Sequence, residues 1–103
     1  MNRVEKLLAF LKDSPRDSFL NHALALEYVK SGQDAEAKSL FEGIIVRDPS
    51  YTGTYYHLAK LLERQGLISE AIKVYEQGLI ECQKKGDHHA GNELRAALEE
   101  LEN

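Results

Sequence analysis

Apolar residues recur at spacings of three and four along most of this chain. Phe19, Leu20, Ala23, Leu24, Leu26 and Tyr28 form one such series; after Gly32, Ala37, Leu40, Phe41, Ile44 and Ile45 form the next. That phase marks amphipathic helices with one face turned to a core. Followed from end to end, it predicts six helices, over 2–12, 16–31, 34–47, 51–65, 68–84 and 88–102. Gly32 and Gly66 fall between helices, where a residue without Cβ takes positive φ at little cost. Pro15 and Pro49 follow Ser14 and Asp48, pairings that stop one helix and pre-set the first turn of the next.

The pattern is periodic. A shift of 34 residues brings Gly32 onto Gly66, Leu24-Ala25 onto Leu58-Ala59, Glu36-Ala37 onto Glu70-Ala71 and Phe41-Glu42 onto Tyr75-Glu76. The same shift backwards carries Asp48-Pro49 onto Ser14-Pro15, so the first helix is a half-repeat. Locally, Gly43 to Val46 and Tyr51 to Tyr56 are β-branched and aromatic around a turn and on their own read as a hairpin. The repeat register outweighs that propensity, because the equivalent positions elsewhere carry helix formers in clear 3.6-residue phase. Beyond residue 80 the period loosens, with Gln83 where a third proline belongs and the break displaced to Lys84-Lys85-Gly86-Asp87. Leu94, Ala97, Leu98 and Leu101 then mark a capping helix, which a repeat array needs to shield its last apolar face.

These elements divide the chain into an N-terminal half-repeat (1–14), repeat one (18–51), repeat two (52–85) and a cap (86–103), in a single domain. A length of 103 residues suits one core and leaves no room for separate catalytic and substrate domains. The net charge of -4 disfavours a non-specific grip on nucleic acid or anionic lipid, so neither partner is expected. No run is long enough to span a bilayer, and Glu5 and Lys6 interrupt the N-terminal apolar stretch, so a cytoplasmic protein is expected.

A 34-residue helix-turn-helix carrying Leu24-Ala25, Tyr28, Gly32, Ala37, Phe41, Ile44 and Pro49, then Tyr55, Leu58-Ala59, Leu62, Gly66, Ala71, Tyr75 and Gly78, resembles the tetratricopeptide repeat family. The family's frequent Trp is replaced by Asn21 and Tyr55, and its small residue late in the second helix is Ile44 in repeat one. The resemblance implies an all-α fold, a short right-handed α-solenoid of about six antiparallel helices. It also implies a non-catalytic protein-protein interaction module. In such proteins the first helices of successive pairs line a groove that holds a peptide or partner segment. Counted along those helices, the groove residues here are His22, Leu26, Val29 and Lys30, then Tyr56, His57, Lys60 and Arg64. Lys30, Lys60 and Arg64 would form a positive strip suited to an acidic segment or a carboxylate terminus. The family's chaperone-tail clamp is not expected, because His22, Leu26 and His57 stand where its Lys and Asn residues belong. The alternative is a homodimer or other homo-oligomeric structural unit paired through Leu7, Leu8 and Leu11 on the first helix.

Chemistry beyond binding finds little support. The scattered glycines make no phosphate-binding loop, and no GxSxG elbow occurs. His88 and His89 are adjacent, so on a helix their rings diverge by about 100° and do not share a ligand. His22 and His57 would need acidic neighbours such as Glu27 or Glu63 to complete the three or four ligands of a metal site, and no metal or other cofactor is expected. Cys82, beside Lys84 and Lys85, reads as partly buried and inert. The protein is not expected to be an enzyme.

Overall fold

The computed structural model describes residues 2–103, in which six α-helices run in order: α1 (Arg3–Asp13), α2 (Ser18–Lys30), α3 (Asp34–Arg47), α4 (Gly53–Arg64), α5 (Ile68–Lys85) and α6 (His88–Glu102). No strand occurs among the described residues, so the β-branched stretch around Pro49 is helical on both sides of its turn. The fold is all-α, as the periodicity predicts. Side-chain oxygens cap three N-termini: Asn2 accepts from the Glu5 N–H at 2.8 Å, Asp17 from Leu20 at 2.8 Å and Asp87 from Ala90 at 3.1 Å. Three helices end alike, with Gly32, Gly66 and Gly86 at φ 76°, 79° and 77°. After each glycine the next N–H returns to a carbonyl five residues back, as in Gln33 to Tyr28, Leu67 to Leu62 and Asp87 to Cys82. A side chain at these glycines would meet no neighbour, so backbone conformation alone selects them.

The chain divides into two units, residues 1–48 and 49–103. In the first, α1 packs on α2 and α2 on α3. Leu7, Ala23 and Leu24 are buried together, flanked by Val4, Leu11, Leu20, Tyr28 and Leu40. Ala25, Ala37, Phe41 and Ile44 have no exposed surface. Two polar side chains fix the entry to α2. The Asn21 amide donates to the Pro15 and Asp17 carbonyls at 3.1 and 2.8 Å, and the Ser18 hydroxyl donates to Asp48 at 2.6 Å. Leu7 and Leu11 are thus used inside this unit, and the large apolar side chains that α1 exposes are Leu8 and Phe10.

In the second unit α4 packs on α5, α5 on α6, and α4 also touches α6. Its core holds Tyr55, Leu58, Ala59, Ala71 and Tyr75, all at most 2 % exposed. The helices approach closely at Gly78. A Cβ there would lie 2.7 Å from the Tyr55 Cβ and 2.8 Å from Leu94 Cδ1, closer than carbon atoms can sit. Tyr55 fills that space and its hydroxyl donates to the Pro49 carbonyl at 2.7 Å. Tyr75 donates to Glu63, and burial together with that carboxylate pushes the phenol well above its ordinary pKa. Thr52 donates to Asp87 at 2.6 Å, tying the start of α4 to the start of α6.

Candidate functional site

The sequence singles out residues on two helices, α2 in the first unit and α4 in the second. On α2, the His22 ring leans against Phe41 with centroids 5.6 Å apart, Leu26 and Val29 are half-buried, and Lys30 is exposed at the last turn. The Lys30 ammonium lies 3.1 Å from Glu27, which also takes the Arg3 guanidinium at 3.4 Å. Glu27 therefore partly neutralises the positive charge that α2 offers. The first unit also carries an open cavity of about 500 Å³, bounded by Leu8, Leu24, Tyr28 and Leu40 and apart from the four predicted side chains.

On α4, Tyr56, His57 and Lys60 form a contiguous cluster. The Tyr56 and His57 rings meet edge-on with centroids 5.6 Å apart, and Lys60 Nζ stands 5.7 Å from the Tyr56 ring centre. This is a cation–π arrangement, in which the negative face of the ring attracts the ammonium. Lys60 also reaches Glu63 at 3.6 Å. Burial holds His57 below the ordinary histidine pKa of 6.5, and the nearby Glu93 carboxylate offsets this only in part. Arg64 is exposed at the end of α4.

The cluster opens onto a trough between α4 and α6. Two adjoining cavities share Tyr56 and Glu93. One, of about 200 Å³, is completed by Thr52, Gly53, His57, Ala90 and Leu94. The other, of about 220 Å³, is completed by Lys60, Ala96, Ala97 and Glu100. The contribution of α6 is not anticipated from the sequence, where this helix figures only as an apolar cap. Glu93 and Glu100 are nonetheless seven residues apart, two helical turns, and so share one stripe. That stripe borders the buried Leu94 and Ala97.

Elsewhere the chemistry is quiet. Cys82 is 3 % exposed, and burial with the nearby Asp87 pushes its thiol pKa up despite Lys85, so the nucleophilic thiolate is disfavoured. His89 points outward and lies 3.4 Å from Glu93 one turn along α6. Among the described residues no three potential ligands gather around a common point, and no helix is long and apolar enough to cross a membrane.

Tandem helix pairs, turned by left-handed glycines and each packed on buried apolar side chains, define a helical-repeat protein. A tetratricopeptide repeat model matches residues 52–79, which cover α4 and much of α5. The crystal structure of a tetratricopeptide repeat domain protein from Salinibacter ruber is 40% identical, with a TM-score of 0.80 over 84% of this chain and 96% of that one. The solution structure of the Salinibacter ruber domain gives 40% identity and a TM-score of 0.82 over 85% and 89% of the two chains. A Bordetella parapertussis protein solved in solution is 28% identical, with a TM-score of 0.83 over 98% of this chain and 88% of that one. No curated protein matches the sequence. The chain belongs to the tetratricopeptide repeat family, whose members are generally non-catalytic modules for protein-protein interaction.

Proposed function

We propose that this protein is a non-catalytic adaptor that holds a segment of a partner protein along the open faces of its first helices. In the second unit that face is Tyr56, His57, Lys60 and Arg64 on α4, extended by Glu93 and Glu100 on α6; in the first it is His22, Leu26, Val29 and Lys30 on α2. The observation that carries the reading is the pair of adjoining cavities on either side of Tyr56, each of a size to take about one side chain. An aromatic ring standing between two such cavities is the kind of rigid anchor that dominates binding energy at interfaces. The acidic partner expected from Lys30, Lys60 and Arg64 loses support, because Glu27 and Glu63 already face the two lysines.

Tyr56→Ala combined with Lys60→Glu tests the reading. Co-purification of the native partner should fall at least tenfold with helicity unchanged, and undiminished recovery would move the interaction off α4. Self-association is the alternative. With Leu7 and Leu11 buried or half-buried, it would run through Leu8 and Phe10, which are 43% and 61% exposed. Light scattering over a hundredfold concentration range (about 1–100 μM, bracketing weak interfaces) checks it. A constant monomer mass would eliminate it.

A further inference from the structure

We propose that the trough between α4 and α6 receives a basic, extended segment of a partner protein, whose arginine or lysine side chains enter the two cavities beside Tyr56. The proposal rests on the reading of α4 as a docking face and adds the chemistry of what docks there.

Charge is the first ground. The cavity linings contain two carboxylates, Glu93 and Glu100, against one ammonium, Lys60, which already faces Glu63; Glu93 in turn has the His89 imidazole 3.4 Å away, outside the linings. His57 adds no compensating charge near neutral pH, because burial favours its neutral form. An acidic segment would set its carboxylates against Glu93 and Glu100, whereas a basic one supplies the charge they lack. The net charge of -4 on the whole chain steers the same kind of partner toward it.

Shape is the second ground. The Tyr56 ring already attracts one cation, Lys60 Nζ at 5.7 Å, so its face is oriented for such contact. Ala90, Ala96 and Ala97 are small, which leaves room along α6 for the aliphatic stems of long basic side chains while their heads reach the carboxylates. The two cavities share Tyr56 and Glu93 and so lie side by side along the trough. In an extended peptide, alternate side chains on one face are separated by about 6.6 Å, which suits neighbouring cavities.

A blocked heptapeptide of alternating arginine and serine, titrated into the isotopically labelled full chain, tests the proposal by amide chemical shifts. Shifts confined to α4 and α6, with at least tenfold tighter binding than for the glutamate-serine counterpart, are expected. Glu93→Gln with Glu100→Gln should weaken the arginine peptide at least tenfold. Glu99→Gln with Glu102→Gln, which removes the same charge from neighbouring positions, should weaken it less than twofold. Equal weakening by both pairs would reduce the effect to overall charge and overturn the proposal, as would equally tight binding of free spermidine. If the glutamate-serine peptide shifts α4 and α6 while the arginine peptide does not, the basic chemistry is wrong and the docking face survives. If partner capture in the preceding experiment is also indifferent to Tyr56 and Lys60, the docking face itself is lost.

Discussion

The two units build the same corner with opposite side chains. At the start of the first helix, unit one has Asn21 and unit two has Tyr55, 34 residues on; late in the second helix, unit one has Ile44 and unit two has Gly78. A small residue accompanies a large one in each case, with the order reversed. The polar job is nevertheless conserved between them: Asn21 donates to the Pro15 carbonyl and Tyr55 to the Pro49 carbonyl, the two prolines being themselves equivalent. A second contact also recurs, Ser18 to Asp48 in unit one and Thr52 to Asp87 in unit two. Its span grows from 30 to 35 residues, because α5 has 18 residues where α3 has 14 and Gly86 intervenes before Asp87. What repeats is therefore the volume filled and the carbonyl satisfied, and residue identity is free to drift around both.

The exchange of sizes can be broken most sharply at Gly78. Gly78→Ile should prevent stable folding of the second unit, since even a Cβ overlaps the Tyr55 Cβ, which is fixed to the helix backbone. Pairing it with Tyr55→Asn, so that unit two copies unit one, removes the ring but keeps the Tyr55 Cβ, so it should recover only a minor part of the lost helicity. Strict additivity in that double-mutant cycle would show that the two sizes do not compensate.

Anchoring differs between the units as well. Helix α1 contributes one buried residue, Leu7, whereas α4 contributes six. Leu7→Ala should cost about 2–3 kcal/mol and release α1 before anything else. Hydrogen exchange should then show faster amides in α1 with those of α4 to α6 unchanged, and uniform acceleration would mean that α1 is integral to the whole.

The recurrent hydroxyl–carboxylate contact offers a smaller probe. Ser18→Ala should cost roughly 1 kcal/mol, and Thr52→Val should lower the melting temperature and reshape the acid limb. The Thr52 hydroxyl and the Ala90 N–H hold Asp87 below its ordinary pKa of 3.8. The stability this confers is present above pH 3.8 and is lost as the pH falls through the folded value. Urea melts between about pH 2 and 5 should show that acid-dependent step shrinking in Thr52→Val.

The least effect is expected at His57, whose folded pKa lies below 6.5. Its neutral form supports folding fully above pH 6.5, and stability declines as the pH drops from there toward the folded value. His57→Gln should flatten that decline, and an unchanged slope would assign it to other groups.

The sequence conveys the helices well, because their cues are local. The apolar phase, the glycines and the two prolines place helix ends within a few residues of those observed. The longer α5 is also foreshadowed, since the break after residue 80 sits late in the period. On α4, Tyr56, His57 and Lys60 are singled out by counting along a helix that the family resemblance turns toward a groove, and their side chains do lie together. The α6 side of the trough was not readable, because Glu93 and Glu100 look like any solvated stripe until α6 is laid against α4. Nor does composition reveal that Lys30 and Lys60 face Glu27 and Glu63, since ion pairing one turn apart depends on rotamers and not on counts. Helix spacing likewise does not show that Leu7 turns inward while Leu8 and Phe10 remain outside.

The longer α5 matters beyond the turn it displaces. Four added residues advance a helix by about 6 Å and rotate its end by about 40° relative to a whole turn. The element that follows thus begins from a setting that the repeating unit never produces elsewhere. Any selectivity lodged between α4 and α6 is consequently set by the length of α5 and not by the repeated corners. It is open to revision by small changes in the length of one rod, while the duplicated corners that keep the protein folded are left untouched.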